Sequence, residues 1–229
     1  MSDDRFEVET DCLTIGRTFA EYRRMLDLAP ATLAGKTVLD CGGGAGAFTA
    51  TANALGADAT AIDPLYGPSA AELEPDLADA VERNIDQLRE KRDLFVWDYY
   101  GDVDTRERYL RAAYERFLAD YAHHPERYVE GALPDLPLDT DSVDLAVVTN
   151  LLFLYDDRLD LEFHVAALRE LARVAGEVRV FPTHSLERGE STYVEECVEA
   201  LRAEGADASL RTVPYEFQPG ATEMLVVEP

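Results

Sequence analysis

Four residues that could bind a ligand follow a short apolar run in the first quarter of the chain. Asp40, Gly42, Gly44 and Gly46 fall on alternate positions and give the pattern D-x-G-x-G-x-G. Glycines in a turn between a strand and a helix let backbone N–H groups approach a ligand closely, and the helix directs its positive end at an anionic group. The pattern therefore predicts a ligand-binding turn, which several classes of cofactor could use.

A dinucleotide site is the first alternative for such a turn. Its fingerprint is G-x-G-x-x-G, without an acid at the strand end. Counted from Gly42, the sixth position is Ala47, so this chain meets the pattern only in its relaxed form. An NAD(P)-dependent oxidoreductase therefore stays open as the weaker interpretation.

The elements around the turn alternate between strand and helix. Strand Thr37–Asp40, a helix from Ala47 to about Leu55 and strand Ala57–Ile62 form one βαβ unit, and Asp63-Pro64 ends it. A capping-box pair, Thr18 and Glu21, predicts a helix before the sheet. Further strands are predicted at 127–129, 143–149, 176–181, 209–215 and 223–227, with helices at 161–174 and 192–203. This alternation indicates a parallel α/β sheet that ends in an antiparallel hairpin.

The segment 67–126 separates the second and third strands by more than an ordinary crossover. It reads as a helical insertion with amphipathic helices at 79–92 and 105–123. Its aromatic residues could simply pack on the domain, or the insertion could form a lid over the substrate. We expect residues 1–229 to form a single domain.

At this point the chain resembles the class I S-adenosylmethionine-dependent methyltransferases, including their type 11-like members. Residues 38–46 are similar to the family's first motif, and Asp63 is similar to the acid that closes its second strand. Residues 131–138 and 141–144 are similar to its G-D-A-x-x-L-P-F and D-x-S-F-D stretches, and 167–181 to its fifth helix-strand unit. The resemblance implies a three-layer, Rossmann-like α/β fold with a seven-stranded sheet. It also implies the strand order 3-2-1-4-5-7-6, with strand 7 antiparallel.

The resemblance also implies S-adenosyl-L-methionine as the cofactor and roles for individual residues. The backbone of Gly42, Gly44 and Gly46 would approach the methionine part, and Asp40 would hold its ammonium group. Asp63 would accept both ribose hydroxyls, unless it serves as a turn cap. Leu133 would contact the adenine through its N–H, Asp135 would replace an acid for which this chain has Ala132, and Asn150 would face the sulfonium. Arg17 and Tyr22 could close the site.

No catalytic residue is assigned from the sequence. Methyl transfer depends mainly on proximity and desolvation, although a base helps neutral acceptors. Near the ends of strands four and five the candidates are Tyr155, Asp156, Asp157, Arg158 and His184, for which we expect structural roles. His123, His124 and His164 are expected to cap or pack, and no metal site is indicated. A non-catalytic cofactor-binding protein therefore stays open.

The acidic composition limits the kinds of molecule that the protein is expected to bind. The 229 residues include 46 acidic and 21 basic ones, a formal charge of −25 that disfavours nucleic acid and anionic membranes. The scattered acids and the scarcity of lysine resemble halophilic proteins, in which salt screens the repulsion. Cys12, Cys41 and Cys197 show no paired spacing, the N-terminus lacks a signal-peptide pattern, and no apolar run could span a bilayer. We expect a cytoplasmic enzyme with a small-molecule substrate, and the acceptor and oligomeric state stay open.

Overall fold

The fold is organised around a seven-stranded sheet, in a computed structural model that describes residues 15–186 and 189–229. Its strands are β1 (Thr37–Cys41), β2 (Asp58–Ile62), β3 (Tyr128–Val129), β4 (Leu145–Thr149), β5 (Val178–Phe181), β8 (Asp207–Thr212) and β9 (Glu223–Glu228). A separate two-stranded ribbon, β6 (His184–Ser185) with β7 (Gly189–Glu190), follows β5 and was not predicted.

The strand order confirms the predicted fold. The sheet runs β3-β2-β1-β4-β5-β9-β8, which is 3-2-1-4-5-7-6 when the ribbon is left out. The first five strands pair in parallel, and β9 is antiparallel to both β5 and β8. In register, Val38 of β1 lies between Ala59 of β2 and Leu145 of β4. This is the strand order that the resemblance implied, and it brings the carboxyl ends of β1, β2 and β4 to one edge of the sheet.

Helices cover both faces of the sheet and make the three layers. They are α1 (Phe19–Met25), α2 (Phe48–Ala54), α3 (Ala70–Glu90), α4 (Val103–His123), α5 (Leu161–Val174) and α6 (Val194–Ala203). One buried cluster joins β1, β4 and β5 to α5 and α6, and a second joins β1, β4 and β9 to α1 and α2. Strands covered on both faces are apolar along nearly their whole length, which explains the compact apolar runs in the sequence.

The insertion between β2 and β3 is helical, as predicted, but its first helix begins earlier than expected. α3 starts at Ala70, where Ser69 and Glu72 form a capping box, and it contains Pro75. A proline inside a helix removes one backbone hydrogen bond, here the one to Ala71, and normally argues against helix at that point. The capping box and the buried apolar face of α3 outweigh that loss.

Candidate functional site

The glycine turn lies between β1 and α2 at the sheet edge where the parallel strands end. Gly42 and Gly44 have φ of 72° and 50°, the left-handed region that favours glycine. The N–H of Gly42 donates to the carbonyl of Ile62 at 2.8 Å, which ties the turn to the end of β2. A Cβ on Gly43 would lie 2.8 Å from the hydroxyl of Tyr66, so the neighbouring segments also leave no room for a side chain there.

Asp63 joins this turn directly. Its Oδ2 accepts a hydrogen bond from the N–H of Gly44 at 2.9 Å, and its Oδ1 accepts one from the N–H of Leu65 at 2.9 Å. Burial raises the pKa of Asp63, whereas the two backbone donors oppose that rise. The carboxylate is therefore fixed beside the glycine turn, and each oxygen keeps a further lone pair for a ligand.

Asp40 lies beneath the turn, against α1 and α2. Strand alternation places it on the same face as Val38, and its carboxylate accepts hydrogen bonds from Tyr22 at 3.1 Å and Thr49 at 3.4 Å. Burial raises the pKa of Asp40 to about 7, the charge of Asp63 acts in the same direction, and the two hydroxyl donors lower it. Asp40 is thus placed to support the turn from below.

A cavity of about 510 Å³ opens over the turn, within the range typical of small-molecule sites. Of the residues predicted to bind the cofactor, it brings together Gly42, Gly44, Asp63, Leu133 and Asn150. Its wall is mainly apolar. Described residues that line it further include Arg17, Tyr22, Cys41, Asn84, Leu88, Phe95, Arg106, Thr149, Tyr155, Tyr215 and Phe217.

Three predicted cofactor residues do not line this cavity. Asp40 is buried below it, and Gly46 packs so closely that a Cβ would lie 2.8 Å from the carbonyl oxygen of Gly43. Asp135 is exposed, and its N–H donates to the carbonyl of Ala132 at 3.2 Å. Asp135 therefore stands outside the cavity in which it was expected to replace the adenine-binding acid.

Asn150 sits where β4 ends. Its φ is 54°, a conformation that asparagine tolerates better than most residues. Its N–H donates to the carbonyl of Phe181 at 2.7 Å, and its amide nitrogen lies 3.8 Å from the sulfur of Met25. The side chain lines the cavity next to Thr149, on the side opposite Asp63 across β1.

The base candidates from the sequence are mostly outside the cavity. Tyr155 lines it, with the guanidinium of Arg158 5.6 Å from its ring, whereas Asp156, Asp157, Arg158 and His184 do not line it. Asp156 is 3% exposed, and neither of its carboxylate oxygens has a hydrogen-bond partner among the described residues.

Of the other histidines, His123 and His164 have capping or packing contacts, whereas Nδ1 of His124 lies 3.3 Å from Oε1 of Glu126 instead of a helix carbonyl. His123 Nδ1 lies 2.7 Å from the carbonyl of Ala119, and His164 is fully buried with Nδ1 2.7 Å from the carbonyl of Asp160. Across residues 15–186 and 189–229, no group of three histidine, cysteine or acidic side chains is arranged to hold a metal ion. Within the same ranges, none of the helices combines the length and apolar character needed to cross a bilayer. Cys41 and Cys197 are free and buried, and Cys12 lies outside the described residues.

The sequence does not predict a buried polar network that reaches the cavity at Arg106 and Tyr215. Arg106 Nη1 donates to Glu21 at 2.6 Å and to the hydroxyl of Tyr100 at 2.9 Å. The hydroxyl of Tyr100 lies 2.5 Å from Glu21 and 2.7 Å from the hydroxyl of Tyr215. Burial raises the pKa of Tyr100 and Tyr215, so both phenols stay neutral. These residues are far apart in the chain, and no local pattern signals their contact.

Comparison with known proteins gives distant similarities. No protein-family model matches the chain. An uncharacterized protein of Methanocaldococcus jannaschii is 28% identical over 218 residues, which are 95% of this chain and 96% of the relative. A structure of PigF with SAH is 16% identical with a TM-score of 0.49, and it matches 92% of this chain but 60% of PigF. A SAM-dependent methyltransferase from Aquifex aeolicus is 15% identical, covers 90% of this chain and 92% of its own, and has a TM-score of 0.43.

Proposed function

We propose that the protein transfers the methyl group of S-adenosylmethionine to a small-molecule acceptor. The observation that carries this proposal is a hydrogen bond between the glycine turn and Asp63 on the wall of the cavity. The N–H of Gly44 donates to Oδ2 of Asp63 at 2.9 Å. A fixed carboxylate beside a close-approach backbone suits a ligand that has both a diol and a polar amino-acid end.

The residues present fit that cofactor. Asp63 would bind the ribose hydroxyls, and the backbone at Gly42 and Gly44 would contact the methionine part. Arg17 lines the same cavity, and its Nε, which lies 3.8 Å from Oε1 of Glu21, has no hydrogen-bond partner among the described residues, so it would bind the carboxylate. Leu133 would pack against the adenine. Asp40 would act through Tyr22 and the turn above it instead of touching the ammonium group.

When bound, S-adenosylmethionine supplies a methyl group already activated on a sulfonium. The contribution of the chain is to hold the two reactants together and to exclude water. The mainly apolar wall of the cavity would exclude water, and the residues at the ends of β1, β2 and β4 would orient the cofactor. An acidic chain with a formal charge of −25 supports a small-molecule acceptor over a nucleic acid.

Calorimetry in concentrated KCl tests the cofactor assignment. S-adenosylmethionine and S-adenosylhomocysteine should bind, and NADH should not. Asp63→Ala should weaken both by at least about tenfold, because charge-assisted hydrogen bonds are lost. Asp63→Asn is the second variant. It keeps the shape of the side chain and an acceptor for one of the two backbone N–H groups, whereas Asp63→Ala removes the acceptors of both Gly44 and Leu65. Asp135→Ala is the matched control, since it removes an exposed acid outside the cavity.

The outcomes separate the alternatives. Binding of NADH alone would contradict the proposal and favour an oxidoreductase. Cofactor binding without methyl transfer to any acceptor in a cell extract would favour a non-catalytic cofactor-binding protein. In the extract experiment, transfer by the wild type and none by Gly44→Arg would support catalysis, because the arginine would fill the cavity at the glycine turn.

A further inference from the structure

One wall of the cavity is made by segments outside the cofactor-binding turn. We call it the insertion wall, and it consists of Asn84, Leu88, Phe95, Arg106, Tyr215 and Phe217. The first four belong to the helical insertion, and the last two belong to the connection between β8 and β9. The insertion therefore forms part of the cavity itself.

The two segments that form the insertion wall, the helical insertion and the β8–β9 connection, contact each other. The rings of Phe95 and Phe217 stack with centroids 4.7 Å apart and an interplanar angle of 16°. The N–H of Val96 donates to the carbonyl of Phe217 at 2.8 Å, and Trp97 packs edge-on against Phe217 at 5.4 Å. Aromatic rings in fixed orientations favour a flat aromatic ligand, through stacked or edge-on contacts.

The charged side chain of the insertion wall, Arg106, has a buried counter-charge. Arg106 is 1% exposed, and its guanidinium is paired with the fully buried Glu21 at 2.6 Å. The same guanidinium lies over the ring of Tyr100 at 4.7 Å and over that of Phe217 at 5.4 Å. Glu21 lies against this guanidinium, although the same Oε1 is also 3.8 Å from Nε of Arg17. Because the charge of Arg106 is thus paired within the protein, the insertion wall itself favours an uncharged ligand over an anion or a cation.

Asn84 is the polar exception on an apolar helix face. It is 4% exposed and lies on the buried face of α3 with Leu77, Val81 and Leu88. Its Oδ1 has no hydrogen-bond partner among the described residues. A buried amide oxygen without a partner costs about 1–3 kcal/mol. A ligand that donates a hydrogen bond from within the cavity would remove that cost.

We propose that the insertion wall is the acceptor site and that it takes an uncharged, flat aromatic compound whose hydroxyl or amine hydrogen bonds to Asn84. The description of this site as an acceptor site rests on the proposed methyl transfer. The aromatic binding site itself can be measured without that activity.

Trp97 is the only tryptophan in the sequence and contacts the insertion wall, so its fluorescence reports binding there. The probes are para-cresol, its O-methyl ether and the anion para-toluate, each titrated with and without S-adenosylhomocysteine. Asn84→Leu removes the amide and restores the apolar face of α3. Gln87→Leu is the matched control, because Gln87 is on the same helix, also has an unpartnered amide oxygen among the described residues, and does not line the cavity.

We expect para-cresol to bind wild type about tenfold more tightly than its ether does, the equivalent of one hydrogen bond to a buried group. Asn84→Leu should bind the two alike, and Gln87→Leu should keep the preference. Equal binding of cresol and ether to wild type, tighter binding of para-toluate, or no saturable binding would each overturn the proposal. The wild-type comparison holds even if Asn84→Leu fails to fold.

Calorimetry with S-adenosylhomocysteine on the same protein separates the two proposals. Binding of S-adenosylhomocysteine without the cresol preference would overturn the aromatic site and leave methyl transfer standing. The cresol preference without any binding of S-adenosylhomocysteine would overturn methyl transfer, and with it the acceptor role, while the aromatic site remained.

Discussion

The phenolic oxygen of Tyr22 lies 3.1 Å from Oδ1 of Asp40, and both residues are almost fully buried. This contact ties α1 to the end of β1, directly below the glycine turn. Tyr22 also stacks on Phe48 at the start of α2, with ring centroids 4.7 Å apart. The shape of the turn therefore depends on a buried acid whose protonation changes near neutral pH.

Asp40→Asn should flatten the pH dependence of stability between about pH 4 and about pH 7. Burial raises the pKa of Asp40 to about 7 in the folded protein, against about 3.9 for an unperturbed aspartate. A raised folded pKa means that the stabilisation is fully present below the unfolded value and is lost as pH rises through the folded one. Above about pH 7 the variant should therefore gain stability relative to wild type.

Denaturant midpoints across a pH series at fixed KCl measure this effect. Asp135→Asn is the control, since it replaces an exposed acid and should follow the wild-type curve. Parallel curves for Asp40→Asn and wild type would contradict the assignment.

Gly16→Ala should destabilise the fold by about 1–3 kcal/mol, the usual cost of overpacking. A Cβ on Gly16 would lie 1.9 Å from the carbonyl oxygen of Ala45, inside the glycine turn. Thermal unfolding measures the loss. Gly176→Ala is the matched control, because the nearest atom to its Cβ would be the Asp144 carbonyl oxygen at an ordinary 3.6 Å. Equal midpoints for the two variants would show that the segment next to the turn yields freely.

Glu21→Gln should cost about 3–5 kcal/mol, because it leaves the buried guanidinium of Arg106 without its counter-charge. The double variant Glu21→Gln/Arg106→Met should recover part of that loss, since an apolar replacement of a whole buried pair is often neutral. A denaturant series on the wild type, both single variants and the double variant gives the coupling energy. Additive effects would mean that the 2.6 Å pair contributes no coupling.

The melting temperature should rise with KCl concentration. The formal charge of −25 produces self-repulsion, which salt screens as the Debye length falls to about 3 Å near 1 M. Thermal scans from dilute to concentrated KCl measure the rise, and sucrose at matched osmolality controls for non-ionic effects. A melting temperature that does not change with salt would remove the comparison with halophilic proteins.

The glycine turn could be predicted because its residues form a local pattern. The sheet order was implied only by the resemblance of several such patterns to the methyltransferase family. Helix Leu161–Val174 has the predicted bounds, since its apolar spacing and its cap lie within one segment. The spacing of Asp40, Gly42, Gly44 and Gly46 located the turn, but spacing does not reveal depth. Strand alternation turns Asp40 toward α1, and close packing removes Gly46 from the cavity wall.

The buried network could not be predicted from the sequence. Glu21 contacts Tyr100 and Arg106 across 79 and 85 positions, and Tyr100 contacts Tyr215 across 115. Tertiary packing creates these pairs, and no periodicity within a single segment encodes them. The base candidates near β4 and β5 follow from topology alone. Topology places a loop at the sheet edge but does not say which of its side chains faces the cavity, and among the five candidates Tyr155 does so.

The stacking of Phe95 on Phe217 has a consequence for how the protein is made. The glycine turn and Asp63 are close in the chain, so they can meet soon after β2 leaves the ribosome. Phe95 must wait for a partner that lies more than 100 residues further along the chain, and contacts this distant form late because loop closure opposes them. A nascent chain would therefore bring Asp63 to the glycine turn well before it could complete the insertion wall.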